Sequence, residues 1–345
     1  MFKRVISLEN LFASWREFCC GKRDRPDVQL FERYLEDNIF QLVKELSTDA
    51  YRHGFYHTFH IRDPKPRVIS KATVRDRLVH HLVFRELYRI FNPTFIYHSY
   101  SSRLDKGTHL AVANLASTCR RLSRNYTRPI YALKCDVKKF FAGVSHQKLL
   151  AMIQNKIKDT RFFELVKEIV ESFNSNPNNS CEAVGGGGLK GLPIGNVTSQ
   201  IFANIYLNEL DQFIKNQLKI KNYFRYADDF VILHPDRLLL EVWLDLINDF
   251  VQQKLGLELH VGKTEIRKLS QGIDFLGYVV LPRHIVLRTK TKRRMFRKLR
   301  QKRLELESGQ ITPESYNQTL QSYLGILKQG ENYELMIEVL NVYSK

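Results

Sequence analysis

The sequence predicts an α+β fold, with helical segments at both ends and short apolar strands in the middle. Three observations carry this. Apolar residues recur at helical spacing in the first 60 or so positions and again over residues 74–91. Two short β-rich runs flank the pair Asp228-Asp229. Helical patterning dominates again from Arg288 onward.

Taken in order, residues 1–60 read mostly as helix, with Leu35, Ile39, Leu42, Val43 and Leu46 on one stripe. Asp63-Pro64-Lys65-Pro66 is a turn, and Arg67-Val68-Ile69-Ser70 a strand. Val74, Leu78, Leu82, Val83, Leu87 and Ile90 line a helix that Asn92-Pro93 ends. A further helix covers about 108–122, a buried strand 130–137, and a helix 140–157. Residues 174–191, Asn/Ser/Pro-rich with four glycines at 185–188, form a long loop. Helix returns over 195–213 and 238–255, around a hairpin at 223–233. Residues 273–280 and 284–287 read as strands split by Pro282.

The chain has 345 residues and a net charge of +18, with 43% hydrophobic residues. That apolar content excludes a wholly disordered chain. The charge points to a polyanionic partner, nucleic acid or an anionic membrane surface. No apolar run approaches the about 18 residues of a membrane span. Glu9, Arg16 and Glu17 interrupt the N-terminal apolar stretch, unlike a secretory signal. Five cysteines without a C-x-x-C pair predict neither a disulfide framework nor a zinc site, which fits a cytoplasmic protein.

The strongest chemical signal is Tyr226-Ala227-Asp228-Asp229 between apolar runs. Adjacent acids there repel each other and resist desolvation unless a cation joins them. Asp136 ends the apolar run Ala132-Leu133-Lys134-Cys135. Neighbouring strands would bring Asp136 to Asp228, the arrangement that bridges two metal ions about 3.5–4 Å apart for phosphoryl transfer. Oxygen donors favour two Mg²⁺, or Mn²⁺, over zinc. Taken alone, Asp228-Asp229 reads equally as a solvated turn.

Tyr226-Ala227-Asp228-Asp229 resembles the Tyr-x-Asp-Asp box of reverse transcriptases, and the Asp136 segment their first catalytic-aspartate motif. Further resemblances follow in the family's order: Pro66–Ser70 to the triphosphate-holding fingers strand, Ser99–Arg103 to the next motif, and Leu192-Pro193-Ile194-Gly195-Asn196 to the template-and-nucleotide loop. Leu255-Gly256-Leu257 through Lys263 is similar to the lysine motif, and Phe275-Leu276-Gly277-Tyr278 to the primer grip. The resemblance implies a right-hand polymerase fold with helical fingers, an antiparallel-sheet palm and a helical thumb. The divisions it implies are 1–126 N-terminal helices and fingers, 127–145 palm, 146–188 fingers, 189–287 palm with primer grip, and 288–345 basic thumb.

The implied activity is RNA-directed DNA polymerase by a two-metal-ion mechanism. Asp136 and Asp228 would bind both metals, with Asp229 supporting, and Lys263 would be the general acid for pyrophosphate. Lys65 and Arg67 would clamp the triphosphate, with Arg62 a third candidate. Phe141 would pack under the sugar and exclude a ribose 2′-hydroxyl, implying dNTP use. Gly195 would allow close backbone approach to the nucleotide. Phe275, Leu276 and Gly277 would form the primer grip. Arg288, Lys290, Lys292, Arg293, Arg294, Arg297 and Lys298 belong to a run of ten cations over 288–303 that would follow the duplex backbone. Met295, Phe296, Leu299 and Leu304 would dock that helix, and its place after the primer grip argues against a membrane role. His80 and His81 point to different faces of their helix and suit packing.

Many members carry Gln where this chain has Ile194 and Pro where it has Gln200. The run from Ile194 to Gln200, with His80-His81 and Lys106-Gly107-Thr108-His109, resembles the reverse transcriptases of diversity-generating retroelements. That implies a bacterial or phage-encoded enzyme, error-prone at template adenines for mutagenic retrohoming. Its partners would be a template RNA, the RNA–DNA duplex and a small basic helical accessory variability protein, itself oligomeric. A group II intron-like or phage-defence reverse transcriptase is the alternative, and an RNA-binding scaffold the non-enzymatic one. No endonuclease or RNase H region is expected in these residues.

Overall fold

A computed structural model describes residues 1–62, 66–174 and 189–343. The turn residues 63–65, with Lys65, and the glycine tract 185–188 lie outside the described residues. Helices α1 (Phe2–Val5), α2 (Leu8–Cys19), α3 (Pro26–Arg33) and α4 (Leu35–Ser47) come first. Ser7 accepts from Asn10 N to cap α2, and Pro26 opens α3, where its missing N–H is no loss. Strands β1 (Tyr56–Ile61) and β2 (Arg67–Ala72) form an antiparallel pair. α5 (Val74–Phe91) follows, with Thr73 accepting from Asp76 N at its start. Then come α6 (Thr108–Leu122), β3 (Tyr131–Asp136), α7 (Phe140–Gly143), α8 (His146–Gln154), α9 (Thr160–Glu171) and α10 (Val197–Gln212). β4 (Tyr223–Tyr226), β5 (Asp229–His234), α11 (Arg237–Phe250), β6 (Glu265–Lys268), β7 (Ile273–Phe275), β8 (Tyr278–Val280) and β9 (Ile285–Leu287) precede α12 (Thr289–Glu307), α13 (Pro313–Leu327) and α14 (Tyr333–Tyr343).

These elements form two compact units. One comprises Met1–Arg103, Val137–Lys219 and Leu246–His260; the other Leu104–Asp136, Ile220–Asp245 and Val261–Lys345. In the first, α5 packs against α2 and α10, and its Leu78, Leu82, Val83 and Leu87 are fully buried. In the second, four antiparallel strands run in the order β4-β5-β3-β6, and β7-β8-β9 form a separate sheet. Phe230, Val231, Ile232 and Leu233 are fully buried on β5, so the central strand is anchored on both faces.

The structure corrects four expectations. Residues 56–61 are a strand rather than part of a helical region, because they pair with β2 from Tyr56↔Ala72 to Ile61↔Arg67. The helix over 140–157 breaks at Val144, and Ser145 caps α8 by accepting from Lys148 N. Residues 273–280 are a hairpin, not one strand. Leu304 is 60% exposed and does not dock α12; Met295 and Leu299, both fully buried, do. Among the described residues no helix is long and apolar enough to cross a membrane.

Candidate active site

The second unit builds a carboxylate hairpin. β3 and β5 pair so that Asp136 stands opposite Asp229, and β4 pairs with β5 through Tyr226↔Asp229. This leaves Ala227-Asp228 as a two-residue loop. Directly opposed residues project from one face of a sheet, so both carboxylates share a face. Ala227 takes φ 52°, a left-handed conformation that raises the backbone energy by about 1 kcal/mol. Arg225, fully buried, donates from Nη1 to Ala227 O at 3.2 Å and helps hold the loop. Sequence reasoning missed Arg225; its signal was one cation within the apolar run Tyr223-Phe224-Arg225-Tyr226.

Lys263 closes a short helical turn, Val261–Lys263, that leads into β6. β6 pairs with β3, and the Lys263 Nζ donates to Asp136 Oδ1 at 2.5 Å. Asp229 Oδ1 is closed off from solvent and accepts no hydrogen bond. Burial pushes the Asp229 carboxyl up to about 7; nearby Lys134 opposes this, while Asp136, Asp228 and Asp274 reinforce it. An orphaned buried oxygen beside two further carboxylates is a donor set that fits a divalent cation of the Mg²⁺ or Mn²⁺ type. Among the described residues no group of three or more His, Cys, Asp or Glu is placed so that it could by itself hold a metal ion. Mg²⁺ rarely needs such a group, since waters and substrate phosphates complete its shell.

The segment expected as primer grip is the β7–β8 turn. Phe275 pairs with Tyr278, and Leu276 (φ 53°) and Gly277 (φ 89°) occupy the turn. Positive φ at both loop positions is the pattern of a type I′ turn. Phe275 is fully buried, and Gly277 O accepts from Arg288 N at 3.0 Å. Arg288 also pairs with Asp274, its Nε 3.0 Å from Oδ2, so part of its charge is committed within the protein. Lys290, Lys292, Arg293 and Arg297 lie exposed on α12; Arg294 and Lys298 are half-buried.

The first unit holds the residues expected at the nucleotide. Residues 189–196 form a strap. Leu192 N donates to Phe141 O at 2.7 Å and Gly191 N to Val144 O at 2.8 Å. Further along, Ser70 N donates to Ile194 O, while Asn196 donates to Ser70 O and accepts from Ala72 N. The strap therefore ties the half-buried Phe141 to β2. Gly195, at φ 116°, faces Ile69, whose Cγ2 would lie 2.8 Å from an added Cβ. Gly195 and Gln200 line a basin of about 410 Å³ with Ile69, Lys71 and Arg77. Ile194 and Phe141 do not line it, and Arg67 is exposed at the start of β2.

Asp27 on α3 joins Lys71 at 2.7 Å and Arg77 at 2.5 Å. None of these three was singled out from sequence. Lys71 is two residues beyond Ile69 on one face of β2, which was readable; the partner from α3 was not. His80 and His81 do point apart. His80 meets His53 at 3.0 Å and Thr198 at 3.3 Å, and His81 packs edge-on against Phe18.

Residues 61–280 match the family model described as reverse transcriptase (RNA-dependent DNA polymerase). The chain is 23% identical over 316 residues to the group II intron-encoded protein LtrA of Lactococcus lactis, covering 71% of this chain and 50% of that protein. It is 30% identical over 160 residues to a 91 kDa protein in the cob intron of Schizosaccharomyces pombe, covering 46% and 18%. Among solved structures, apo telomerase from Candida tropicalis lacking its C-terminal domain is similar, with TM-score 0.50 and 14% identity, covering 68% of this chain and 54% of that one. The chain thus spans about half or less of the length of these relatives. The likeness shows the fold, the α+β right-hand polymerase expected from sequence.

Proposed function

The chain belongs to the reverse transcriptase (RNA-dependent DNA polymerase) family, and on that premise we propose that it extends a primer with dNTPs on an RNA template. The observation that carries this reading is Asp136 paired opposite Asp229, with Asp228 in the adjoining hairpin loop. Asp136, Asp228 and Asp229 would hold two Mg²⁺ or Mn²⁺ ions, which when bound supply Lewis-acid charge to the primer 3′-hydroxyl and the leaving pyrophosphate.

The remaining roles fall to side chains. Lys263, with its ammonium already at Asp136, is the proton donor to pyrophosphate. Lys65 and Arg67 bind the triphosphate, as the fork of Arg and the point charge of Lys suit phosphate. Phe141 supports the sugar against a ribose 2′-hydroxyl. The strap bearing Ile194 and Gly195, with Gln200, forms the nucleotide and template surface. Phe275, Leu276 and Gly277 place the primer end, and the α12 cations Lys290, Lys292, Arg293 and Arg297 track its backbone.

Within the family we assign the chain to targeted diversification in a bacterial or phage setting, cytoplasmic, with an oligomeric basic accessory protein. Support comes from the run Ile194–Gln200, since an aliphatic residue cannot make the polar contacts that a Gln makes, and lost contacts weaken discrimination. The likeness to LtrA favours a second reading, a group II intron-like enzyme. Sequencing cDNA made from RNA co-purified with the protein separates them. Errors concentrated opposite adenine support diversification; faithful copies of an intron-like RNA support the second reading; absence of cDNA contradicts both.

A further inference from the structure

The charge excess is not confined to α12. From the last turn of α6 toward β3 the sequence reads Arg120-Arg121-Leu122-Ser123-Arg124-Asn125-Tyr126-Thr127-Arg128, four arginines in nine residues without an acid. All four are exposed. The loop is built rather than loose. Arg124, Asn125 and Tyr126 take φ 51°, 58° and 68° in succession. Hydrogen bonds hold this costly backbone: Asn125 N donates to Arg120 O, Tyr126 N to Ser123 Oγ and Arg128 N to Ser123 O, at 2.8–2.9 Å.

Arg120 and Tyr126 also line an open basin of about 430 Å³ with Arg283, His284 and Lys328. Its wall is fixed, because Glu331 N donates to Ile285 O and Asn332 accepts from Leu287 N. Arg283 is held at φ 73° in the β8–β9 turn. Among the described residues, Arg120, Arg124, Arg128, Arg283 and Lys328 make no ion pair, and Glu331 is the one acid in the basin lining. Arg120, Arg283 and Lys328 bring three positive charges to the basin against the one negative charge of Glu331, and Arg124 and Arg128 add exposed charge on the adjoining loop, a local excess that favours a polyanion.

The patch is remote from the carboxylates within this unit. It leads into β3 at Tyr131, whereas Asp136 ends that strand, roughly 17 Å away at the usual rise per residue. We propose that this arginine loop and basin form a second nucleic-acid site, which binds the phosphate backbone of a structured RNA segment outside the copied template–primer duplex. Arginine forks match phosphate geometry, and the interleaved Tyr126 ring offers a stacking face of the kind that unpaired RNA bases use. An anionic membrane would instead call for exposed apolar side chains beside the cations.

The test uses the full chain and the variant R120Q/R124Q/R128Q/R283Q, with filter binding of an unprimed RNA hairpin across a salt series. The expected result is an affinity loss of about ten-fold or more and a log–log salt slope shallower by about 3. Affinity for a short primed RNA–DNA duplex should stay within about two-fold, and Arg→Lys at the same positions should restore most hairpin binding, since the term is largely charge. Unchanged hairpin affinity overturns the proposal. So does an equal loss on the primed duplex, which would assign the patch to the template–primer track, or loss of phosphatidylserine-vesicle binding alone. The readout is binding, so it stands or falls independently of whether the chain synthesises DNA.

Discussion

Asp136 and Asp229 are register partners across β3 and β5, and the Lys263 ammonium sits on Asp136 at 2.5 Å. The pair places two acids on one sheet face, and the lysine satisfies only one of them. Asp229 Oδ1 remains buried and unbonded. A structural hairpin gains nothing from that arrangement, since an orphaned buried acceptor costs about 1–3 kcal/mol.

Lys263→Met should therefore separate catalysis from stability. The Lys263 side chain is 38% exposed, so the ion pair contributes less than about 1 kcal/mol to folding. A proton donor to pyrophosphate contributes far more to rate, and kcat for primer extension should fall about 100-fold. Urea titration and single-turnover extension measure the two effects; an unchanged kcat removes Lys263 from the reaction.

Gly195→Ala should destabilise the first unit by about 2 kcal/mol, through backbone strain at φ 116° and the close contact with Ile69. Adding Ile69→Ala relieves the contact and leaves the strain, so the double variant should regain only part of the loss beyond what Ile69→Ala costs alone. Denaturant midpoints of the four proteins provide the comparison.

Leu276→Asn should do the opposite to stability. Asn-Gly is the favoured pair of a type I′ turn, and replacing Leu at φ 53° should stabilise by about 1 kcal/mol. If the turn places the primer, the same change lowers extension while raising Tm. Equal activity with higher Tm would leave Leu276 a turn residue alone.

His81 yields a pH dependence. Burial first, then the charges of Lys22, Arg77 and Arg85, lowers it to about 4 from 6.5. The unfolded chain thus binds the proton more readily than the native one. The stabilisation is fully present above about pH 6.5 and is lost as pH falls toward 4, by at most about 3 kcal/mol. His81→Phe should flatten Tm over that window relative to the parent; a parallel Tm–pH curve would contradict the assignment.

The carboxylate hairpin was legible because its information is local: two acids between apolar runs, at a spacing that strand pairing resolves. α5 and α6 were legible for the same reason, their apolar stripes being unbroken. β1 was not, because both its faces stay largely exposed and His57, Thr58 and His60 give no apolar alternation. The β7–β8 hairpin was hidden by an apolar residue, Leu276, at a position where turn chemistry favours Asn or Asp. The Asp27–Lys71–Arg77 cluster lay beyond sequence reasoning, since it joins three elements that only tertiary packing brings together.

If these carboxylates perform RNA-templated DNA synthesis, Asp228 is needed for the chemistry and not for RNA binding. Primer extension on an RNA template by the full chain and by Asp228→Asn, with RNA affinity measured in parallel, tests it most directly. Extension by the parent and a loss of about 1,000-fold or more in the variant, with RNA affinity within about two-fold, is the expected result. Full synthesis by Asp228→Asn, or RNA binding without synthesis by the parent, would contradict it.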